Sequence, residues 1–577
     1  MRKTVIDIET DGLNATKIWL VACQNIDSDF VKVCFNKEDF QKVVDNTDVF
    51  IGHNILGFDL YWLEKLWDIK IDYKKVEDTF VLSTLFLPER KGGHSLEQWG
   101  KTLNDNKIKH SDWTELSSEM ITYCMQDVKL TKHLYKHLLK KEKLDFSNTS
   151  IQLEYNIKHV VAQQERYGFY LDEKKAHKLF SEVRCKADDI LLQVRQEIKP
   201  SARLIKEVTP RYKKDGSLST VGLSSIDSPQ ETVGGSFSII SFEPFNLGSP
   251  KQIIEKMERF GWKPTEFTVK GQPKITPKNL ETVSANAPSS IQKLAEWKML
   301  ETRAKTIEGW LTALQSDGRV HGRVFTMGAV TGRMTHSEPN LANIVANYKP
   351  YGKEFRECWT VANPDTHCLV GMDAKGLELR MLAHYMKDDE FSNEVVDGDP
   401  HTFNQQAAGL PTREQAKTFI YAFLYGAGAA KIGKIVGGSS RTGRELIEKF
   451  LKNIPPLKTL RTNIQEAAQS GMIKGLDGRR LHIRSDHAAL NTLIQGAGAV
   501  VCKQWLVEMD KGIQSSGLDA KLVASVHDEY QFEVAKPDIE RFGQITKEAI
   551  HSTQGILNFK CDLDSSHKVG SNWSETH

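Results

Sequence analysis

The sequence predicts a multidomain α/β protein, and three features of the chain support this fold class. At 577 residues the chain is long enough for about three to four domains. Strand-like and helix-like segments alternate through residues 1–145 and again from about Gly318 to the end. Between these regions, residues 150–198 show the apolar spacing of long amphipathic helices, and about 199–245 is rich in Pro, Gly and Ser. We therefore expect two α/β regions separated by a helical region that carries an insertion and resumes at Ser249.

The composition, 40% hydrophobic and 26% charged, is that of a soluble globular protein. No apolar run approaches the roughly 20 residues needed to cross a bilayer, and Met1 to Thr4 leads directly into a strand-like segment instead of a signal peptide. The eight cysteines are scattered, which is typical of reduced thiols in a cytoplasmic protein. A net charge of +2 does not by itself indicate a nucleic-acid-binding protein, so function must be argued from motifs.

The first set of candidate residues lies in the N-terminal region and consists of Asp7, Glu9, Asp59, Tyr123 and Asp127. Asp7 and Glu9 share one face of a predicted strand, because side chains alternate along a strand. Tyr123 and Asp127 are four residues apart on a predicted helix and therefore lie one above the other. Taken alone, an acid pair on a strand or a Tyr and Asp at helical spacing more often belongs to a solvent-exposed face. Four converging acids would repel one another without cations, and two divalent ions are the usual arrangement for phosphodiester cleavage.

The second set of candidate residues brings acids together from distant segments. Asp373 ends a buried strand-like run that begins at Leu369, next to a helix that starts at Leu377. Far downstream, the turn His527-Asp528-Glu529 joins two short strands and is predicted to present two acids at its tip. Alone, this tripeptide would be an ordinary polar turn. Carboxylates from separate segments are what two-metal phosphoryl transfer requires.

A helix between these acids carries a candidate triphosphate site. Thr412 is predicted to cap the helix, with Gln415 completing a capping box. Arg413, Lys417 and Tyr421 recur every four residues and share a face. Two cations and an aromatic ring suit a nucleoside triphosphate, whereas the alternative is a basic amphipathic helix with a core tyrosine.

The segment after this helix is close to the consensus sequence of a P-loop. Gly428 to Lys434 has the glycine and lysine spacing, but Ile435 stands where a Ser or Thr must contact Mg²⁺. The segment also follows a helix and not a strand, so a P-loop is not expected.

Together these segments resemble the family A DNA polymerases. The Asp373 segment, the Arg413 helix and the Asp528 turn resemble motifs A, B and C of that family. The N-terminal acids and tyrosine resemble, in the same order along the chain, the three motifs of its DnaQ-like exonuclease domain. Thr331-Gly332-Arg333, with Pro339 to Leu341, and Asn491 to Gln495 match stretches that contact the primer-template. The details of Asp373 to Arg380 and Ile420 to Gly428 match the polymerases of short-tailed phages of the T-seven type.

The resemblance implies a role for each candidate residue. By this resemblance, two divalent ions are bound at the exonuclease centre by Asp7, Glu9, Asp59 and Asp127, while Tyr123 orients the attacking water. By the same resemblance, the polymerase centre is formed by Asp373, Asp528 and Glu529 with two Mg²⁺. Mn²⁺ is an alternative ion. The resemblance further assigns nucleotide binding to His401, Arg413, Lys417, Tyr421 and Glu378, and DNA binding to Arg333, His487, Gln495 and Tyr425. One departure is Lys375, where relatives usually carry a small polar residue, which leaves the contacts of this residue open.

The resemblance also implies an architecture, a DnaQ-like (RNase H-like) exonuclease domain followed by a right-hand thumb, palm and fingers. The expected boundaries are 1–148 for the exonuclease domain, 149–315 for the thumb region with an insertion at about 199–245, 316–385 with 475–577 for the palm, and 386–474 for the fingers. There is no room for a 5′-nuclease domain.

The predicted function is template-directed DNA polymerisation in phage DNA replication, with 3′→5′ proofreading, in the cytoplasm of an infected bacterium. An exonuclease with a degenerate polymerase half and a non-catalytic nucleic-acid scaffold are the alternatives, and the intact acid sets disfavour both. Expected partners are primer-template DNA and deoxynucleoside triphosphates. Further candidate partners are a phage helicase-primase, a single-stranded DNA-binding protein, and host thioredoxin or another processivity factor at the 199–245 insertion. No membrane association is expected.

Overall fold

The structure, a computed structural model, describes residues 1–141, 146–224 and 226–577. The chain forms two compact units. Unit 1 comprises Met1–Asp172 and Ala313–His577, and unit 2 comprises Glu173–Thr312. None of the helices in the described residues combines the length and apolar content needed to cross a lipid bilayer.

The N-terminal part of unit 1 is a five-stranded sheet with helices packed against it. Its strands are β1 (Lys3–Thr10), β2 (Ile18–Asn25), β3 (Val31–Cys34), β4 (Val49–Gly52) and β5 (Val76–Asp78), and its helices are α1 (Lys37–Val44), α2 (Asp59–Trp67), α3 (Thr79–Phe86), α4 (Leu96–Leu103) and α5 (Ser118–Lys141). The strand order is β3-β2-β1-β4-β5, with β1 antiparallel to β2 and parallel to β4. Most side chains of β1 are buried, as befits the central strand. The predicted strand at Thr4 to Ile8 and helix at Ile121 to Leu139 are confirmed.

Helix α6 (Asn148–Tyr167) and strand β6 (Phe169–Leu171) connect this sheet to the rest of the chain. Glu154 of α6 is fully buried and pairs with Arg479 and Lys503, each at 2.7 Å. A buried carboxylate requires such partners, because an uncompensated charge in the interior is costly. Helix α6 is therefore held within unit 1, and unit 2 is narrower than the predicted thumb region of 149–315.

Unit 2 is mainly helical and carries one strand pair. Its elements are α7 (Glu173–Glu197), β7 (Ser201–Val208), α8 (Pro229–Thr232), β8 (Phe237–Glu243), α9 (Pro250–Arg259), α10 (Pro277–Leu280), α11 (Ser289–Gln292) and α12 (Leu294–Ala313). Strands β7 and β8 pair antiparallel, with Ser201 opposite Glu243. The insertion thus contains an antiparallel hairpin of β7 and β8. The β-like run near Ser236 to Phe242 is confirmed, but its partner β7 was not expected. Ser249 caps α9, where the helical region was predicted to resume.

The C-terminal part of unit 1 is built on a four-stranded antiparallel sheet in the order β16-β17-β13-β18. The strands of this part are β9 (Arg319–Val320), β10 (Arg323–Phe325), β11 (Thr335–Ser337), β12 (Trp359–Thr360), β13 (His367–Ala374), β14 (Met472–Lys474), β15 (Arg480–His482), β16 (Ala520–Val526), β17 (Glu529–Ala535) and β18 (Ser565–Gly570). Apolar side chains of β13 and β17 join the largest core cluster. The sheet therefore gives a rigid base to the residues at its strand ends.

Helices surround this sheet and extend between β13 and β16. They are α13 (Gly352–Glu357), α14 (Leu377–Met386), α15 (Asp389–Val396), α16 (Pro400–Ala408), α17 (Arg413–Leu424), α18 (Ala429–Ile435), α19 (Ser440–Asn453), α20 (Pro455–Ala468), α21 (Ala489–Ser516) and α22 (Ile539–Ile556). Most side chains of the 28-residue helix α21 are buried, because it packs against α6, α14 and α22. Thr412 caps α17 as predicted, whereas Gln415 Oε1 has no hydrogen-bond partner, so the predicted capping box is only half formed. Gly428 is the N-cap residue of α18, which follows α17 after a short turn, and this agrees with the rejection of a P-loop.

Candidate active sites

The N-terminal acids converge on one place in the structure. One ligand atom each from Asp7, Glu9 and Cys124 lies within 4.8 Å of the other two. Burial, followed by the charges of Glu9, Asp127 and Asp59, raises the pKa of Asp7 well above its usual range. Burial and the charge of Asp127 likewise raise the pKa of Glu9 to about 8. At Asp7 and Glu9, the charges of neighbouring acids thus add to the effect of burial, as expected of a site built for cations.

Divalent metal ions fit this cluster. Burial raises the pKa of Asp59 to about 7 and also raises that of Asp127. Asp127 Oδ1 is buried and has no hydrogen-bond partner. Four crowded carboxylates with a free oxygen are an oxygen-rich donor set, the kind that hard cations such as Mg²⁺ prefer.

Asp59 is placed by a turn and not by the helix-like segment predicted for residues 54–59. Asn54 has φ 63°, and Asp59 is the first residue of α2. The fully buried Asp78 holds this turn by accepting hydrogen bonds from the backbone N–H of Asn54 at 2.9 Å and of Leu56 at 3.2 Å. Asp78 also caps α3, and an Asp before a helix is a capping signal that could have identified it.

Tyr123 and Cys124 border the acids from α5. Burial raises the pKa of Tyr123 to about 12, so its hydroxyl keeps its proton at neutral pH. Cys124 was not among the predicted residues; its Sγ donates to the backbone oxygen of Asp7 at 3.4 Å. Burial also raises the pKa of Cys124, so it remains a thiol and acts as a neighbour of the acids and not as a ligand for a hard cation.

A groove of about 2210 Å³ in unit 1 leads to this centre. Asn54, Lys107 and Tyr123 line it near the acids. Aromatic and basic side chains continue along its walls: Tyr61, Trp62, Phe80, Arg166, Arg323 and Phe325. Alternating rings and cations are the features with which proteins hold single-stranded nucleic acid.

The second pair of acids meets at the ends of two adjacent strands. Asp373 lies near the end of β13, and Asp528 precedes β17. The N–H of Ala374 donates to the backbone oxygen of Asp528 at 3.3 Å, which joins the two segments. Burial, followed by the charges of Asp528 and Glu529, raises the pKa of Asp373 to about 6. Burial also raises the pKa of Asp528. The repulsion of Asp373 by Asp528, and of Asp528 by Glu378, again fits a divalent cation.

Glu529 does not lie at the tip of the turn, where it was predicted. It is the first residue of β17 and pairs with Asp373 and with Val526, because the strand begins one residue earlier than expected. Its oxygens accept from Trp573 Nε1 at 2.5 Å and contact His577 Nδ1 at 2.7 Å. Although burial opposes it, the hydrogen bond and charge of His577 lower the pKa of Glu529. The turn therefore presents Asp528 alone, and catalysis by Glu529 stays a prediction.

Four of the five predicted nucleotide-binding residues lie together on α16 and α17. The charges of Arg413 and Lys417 act on His401, whose ring centroid is 6.0 Å from that of Tyr421. Arg413 forms a bidentate salt bridge with Asp399, in which Nε donates to Oδ2 at 2.7 Å and Nη2 donates to Oδ1 at 3.0 Å. Sequence reasoning missed Asp399. The pair engages Nε and Nη2 of a guanidinium that has five N–H donors, and the Arg413 side chain is about half exposed, so donors remain for a phosphate.

Glu378 also has partners that were not predicted. The hydroxyl of Tyr425 donates to Glu378 Oε1 at 3.0 Å, and Arg333 Nη2 lies 3.8 Å from the same oxygen. Tyr421 is close enough for the charge of Glu378 to contribute to raising its pKa, although burial is the larger cause. The contact of Tyr421 with Glu378 is thus electrostatic, and the hydrogen bond comes from Tyr425 one turn later.

Three of the four predicted DNA-binding residues lie near Glu378, near Asp528 or next to Tyr425, and the fourth is Gln495. Arg333 lines a small cavity with Asp528. A Cβ on Gly426 would lie 3.0 Å from the backbone oxygen of His487, so His487 is next to Tyr425. Gln495 lies half-buried in the first turns of α21. The structure therefore places Arg333 beside Asp528, Tyr425 on Glu378 and His487 beside Tyr425.

The contacts of Lys375 are now defined. Its Nζ pairs with Asp564 Oδ2 at 2.6 Å, and its N–H donates to the backbone oxygen of Asp564 at 3.0 Å. Both side chains are exposed, so the pair contributes little to stability. Lys375 links the strand end that carries Asp373 to the segment before β18.

An antiparallel sheet with two acids at adjacent strand ends, beside a basic helix, defines a nucleotidyl-transferring enzyme. The family model described as DNA polymerase family A matches residues 228–575. The chain therefore belongs to DNA polymerase family A, and the predicted resemblance is confirmed.

The relatives agree with this assignment. The DNA-directed DNA polymerases of Enterobacteria phage T3 and Escherichia phage T7 are each 33% identical to the chain over 591 aligned residues, which cover 85% of this chain and 83% of the relative. A solved structure, the POL domain of Pol1 from M. smegmatis in complex with DNA primer-template and dNTP, is similar with a TM-score of 0.75. The similarity covers 99% of this chain and 96% of that chain, at 19% sequence identity, and is therefore a likeness of fold.

Proposed function

We propose that this chain is a DNA-directed DNA polymerase that extends primers at the Asp373–Asp528 centre and removes 3′-terminal nucleotides at the Asp7 centre. The observation that carries the proposal is the presence of two separate acid clusters, each with raised pKa values, at the ends or centres of two different sheets. The phage relatives are named DNA-directed DNA polymerases, which supports the first activity. The M. smegmatis structure contains primer-template and dNTP, which supports these as ligands.

Each of the two acid clusters supplies the metal ligands of one centre. Asp373 and Asp528 would hold divalent ions of the Mg²⁺ type at one centre, and Asp7, Glu9, Asp59 and Asp127 would hold them at the other. Such ions, when bound, help to activate the attacking oxygen and stabilise charge on the leaving oxygen.

At the polymerase centre, Arg413, Lys417 and His401 offset the charge of the triphosphate. Glu378 and Tyr421 discriminate between sugars, the role that the family resemblance implies for them. At the exonuclease centre, the protonated Tyr123 hydroxyl orients the attacking water, and the groove holds the frayed 3′ end.

Primer extension with and without Mg²⁺, together with degradation of a 5′-labelled single strand, tests this function. The proposal expects both activities, each dependent on the metal. Degradation without extension would support an exonuclease with a degenerate polymerase half. Binding without either reaction would support a non-catalytic scaffold.

Replacing Tyr421 with Phe should increase discrimination against dideoxynucleotides by at least about tenfold, because the tyrosine hydroxyl replaces contacts that a nucleotide without a 3′-hydroxyl cannot make. The measurement is the ratio of kcat/KM for dideoxy and deoxy incorporation opposite the same template base. Tyr348→Phe, which removes a hydroxyl from an exposed ring, is the control and should leave the ratio unchanged. An unchanged ratio in Tyr421→Phe would refute the assignment of Tyr421.

We also propose that the β7–β8 hairpin increases processivity. The hairpin exposes Leu204, Ile205 and Phe242, and its strands carry Arg203 and Lys206. Apolar and basic side chains suit contact with a protein partner or with the DNA backbone.

Deleting Ser201 to Glu243 should shorten the product made per binding event by several-fold and barely change single-nucleotide insertion, because the hairpin is in unit 2 and the catalytic acids are in unit 1. The deleted ends are register partners, so the remaining chain ends are close together. Longer products only after addition of host thioredoxin to the intact enzyme would identify a partner site, and no change would favour direct DNA contact. Unaltered processivity of the deletion variant at physiological salt would remove any such role.

A further inference from the structure

Lys107 lies at the border between the N-terminal acid cluster and the groove. It is in the segment between α4 and α5, and its Nζ pairs with Asp127 Oδ2. The same Nζ is 4.6 Å from the centroid of the Tyr123 ring. The side chain is 23% exposed and lines the groove, so the ammonium faces both the acids and whatever the groove holds.

The backbone at Lys107 is held in place and is not a free surface loop. Gln126 of α5 donates to Asp105 Oδ1 at 2.8 Å, and the N–H of Asp105 donates to the backbone oxygen of Gly100 at 3.0 Å. A Cβ on Gly100 would lie 2.8 Å from the backbone oxygen of Asp105 and 3.1 Å from the N atom of Lys107. Helices α4 and α5 therefore both fix the position from which the lysine reaches the acids.

The charges of the centre require a cation of this kind. Two divalent ions balance four carboxylates, but a phosphodiester brings one further negative charge into the site. A lysine ammonium balances that charge as a point donor with three N–H groups. Lys107 engages only one oxygen of Asp127, since Oδ1 has no hydrogen-bond partner, so the carboxylate and the ammonium each keep capacity for another ligand.

We propose that Lys107 is a substrate-binding residue of the exonuclease centre, whose ammonium pairs with the phosphodiester nearest the 3′ end of single-stranded DNA. This assignment rests on the proposed exonuclease function. The competing role is a purely structural partner of Asp127. The two roles differ because only the first makes Lys107 sensitive to the charge of the DNA linkage.

Binding of two fluorescent single-stranded oligonucleotides, identical except for a neutral methylphosphonate at the 3′-terminal linkage, tests the proposal. Fluorescence anisotropy is measured with Ca²⁺ in place of Mg²⁺, so that affinity and not turnover is read. The wild type should bind the neutral oligonucleotide about tenfold more weakly, the size of one charge-assisted hydrogen bond. Lys107→Met should discriminate several-fold less than the wild type, the remaining discrimination being due to bound Ca²⁺. Lys109→Met, which removes a neighbouring exposed ammonium, should discriminate as the wild type does.

Equal discrimination by the wild type and Lys107→Met, or none by the wild type, would overturn the assignment. Lys107→Arg, which keeps the charge, should restore most of the discrimination, and melting temperatures identify any variant that fails to fold. Hydrolysis of the unmodified oligonucleotide with Mg²⁺ tests the exonuclease function separately from the role of Lys107. If the wild type degrades no DNA, the exonuclease function itself is contradicted. If the wild type is active but Lys107→Met discriminates between the two oligonucleotides as the wild type does, only the role of Lys107 is contradicted.

Discussion

Replacing Asp7 and Glu9 together with Ala is expected to lower 3′→5′ exonuclease activity by about 10³-fold or more, about 4 kcal/mol of transition-state stabilisation. The two acids share one face of β1, and their pKa values are raised first by burial and then by neighbouring charges that include those of Asp127 and Asp59. Removing them leaves too few oxygens to hold two divalent ions. Degradation of a 5′-labelled single strand in Mg²⁺ measures the loss.

Primer extension by the same double variant should stay within about twofold of the wild type, because the two clusters lie on different sheets. Glu38→Ala with Asp39→Ala removes the same charge from the first turn of α1 and is the matched control. That control should retain both activities. An equal loss of exonuclease and polymerase activity in the Asp7 and Glu9 variant would contradict two separate centres.

Asp528→Asn is expected to have the reverse effect, lowering primer extension by about 10³-fold while degradation of single strands persists. The substitution keeps the size of the side chain but removes the charge that, with Asp373, would hold the ions. Single-turnover incorporation of one deoxynucleotide measures the effect on chemistry, and a gel-shift assay on primer-template checks that DNA binding remains.

Asp519→Asn is the control for this substitution, since Asp519 precedes β16, at the far end of the same pair of strands, and contacts His367 at 3.2 Å. It should extend primers as the wild type does. If Asp528→Asn extended primers normally, or if Asp519→Asn were equally impaired, Asp528 would not be part of the catalytic centre.

The local elements of both centres could be predicted from the sequence. The strand of Asp7 and Glu9, the helix of Tyr123 and Asp127, the buried strand ending near Asp373 and the helix of Arg413 all appear in the structure. Each is encoded over a few residues by apolar spacing, by a capping residue or by side-chain alternation. Prediction failed at strand boundaries, as for Glu529, because a one-residue shift depends on pairing with β13 and not on the local sequence.

The sequence by itself therefore determined the family, and it predicted the order of two acid clusters along the chain. Only the tertiary structure decided how the candidate residues are partnered: Asp399 with Arg413, Tyr425 with Glu378, Lys107 with Asp127 and Asp564 with Lys375. These partners are separated by about 14 to 189 residues, so no periodicity or motif links them. They meet because separate helices and strands pack against common cores, and that packing is a property of the whole chain and not of any one segment.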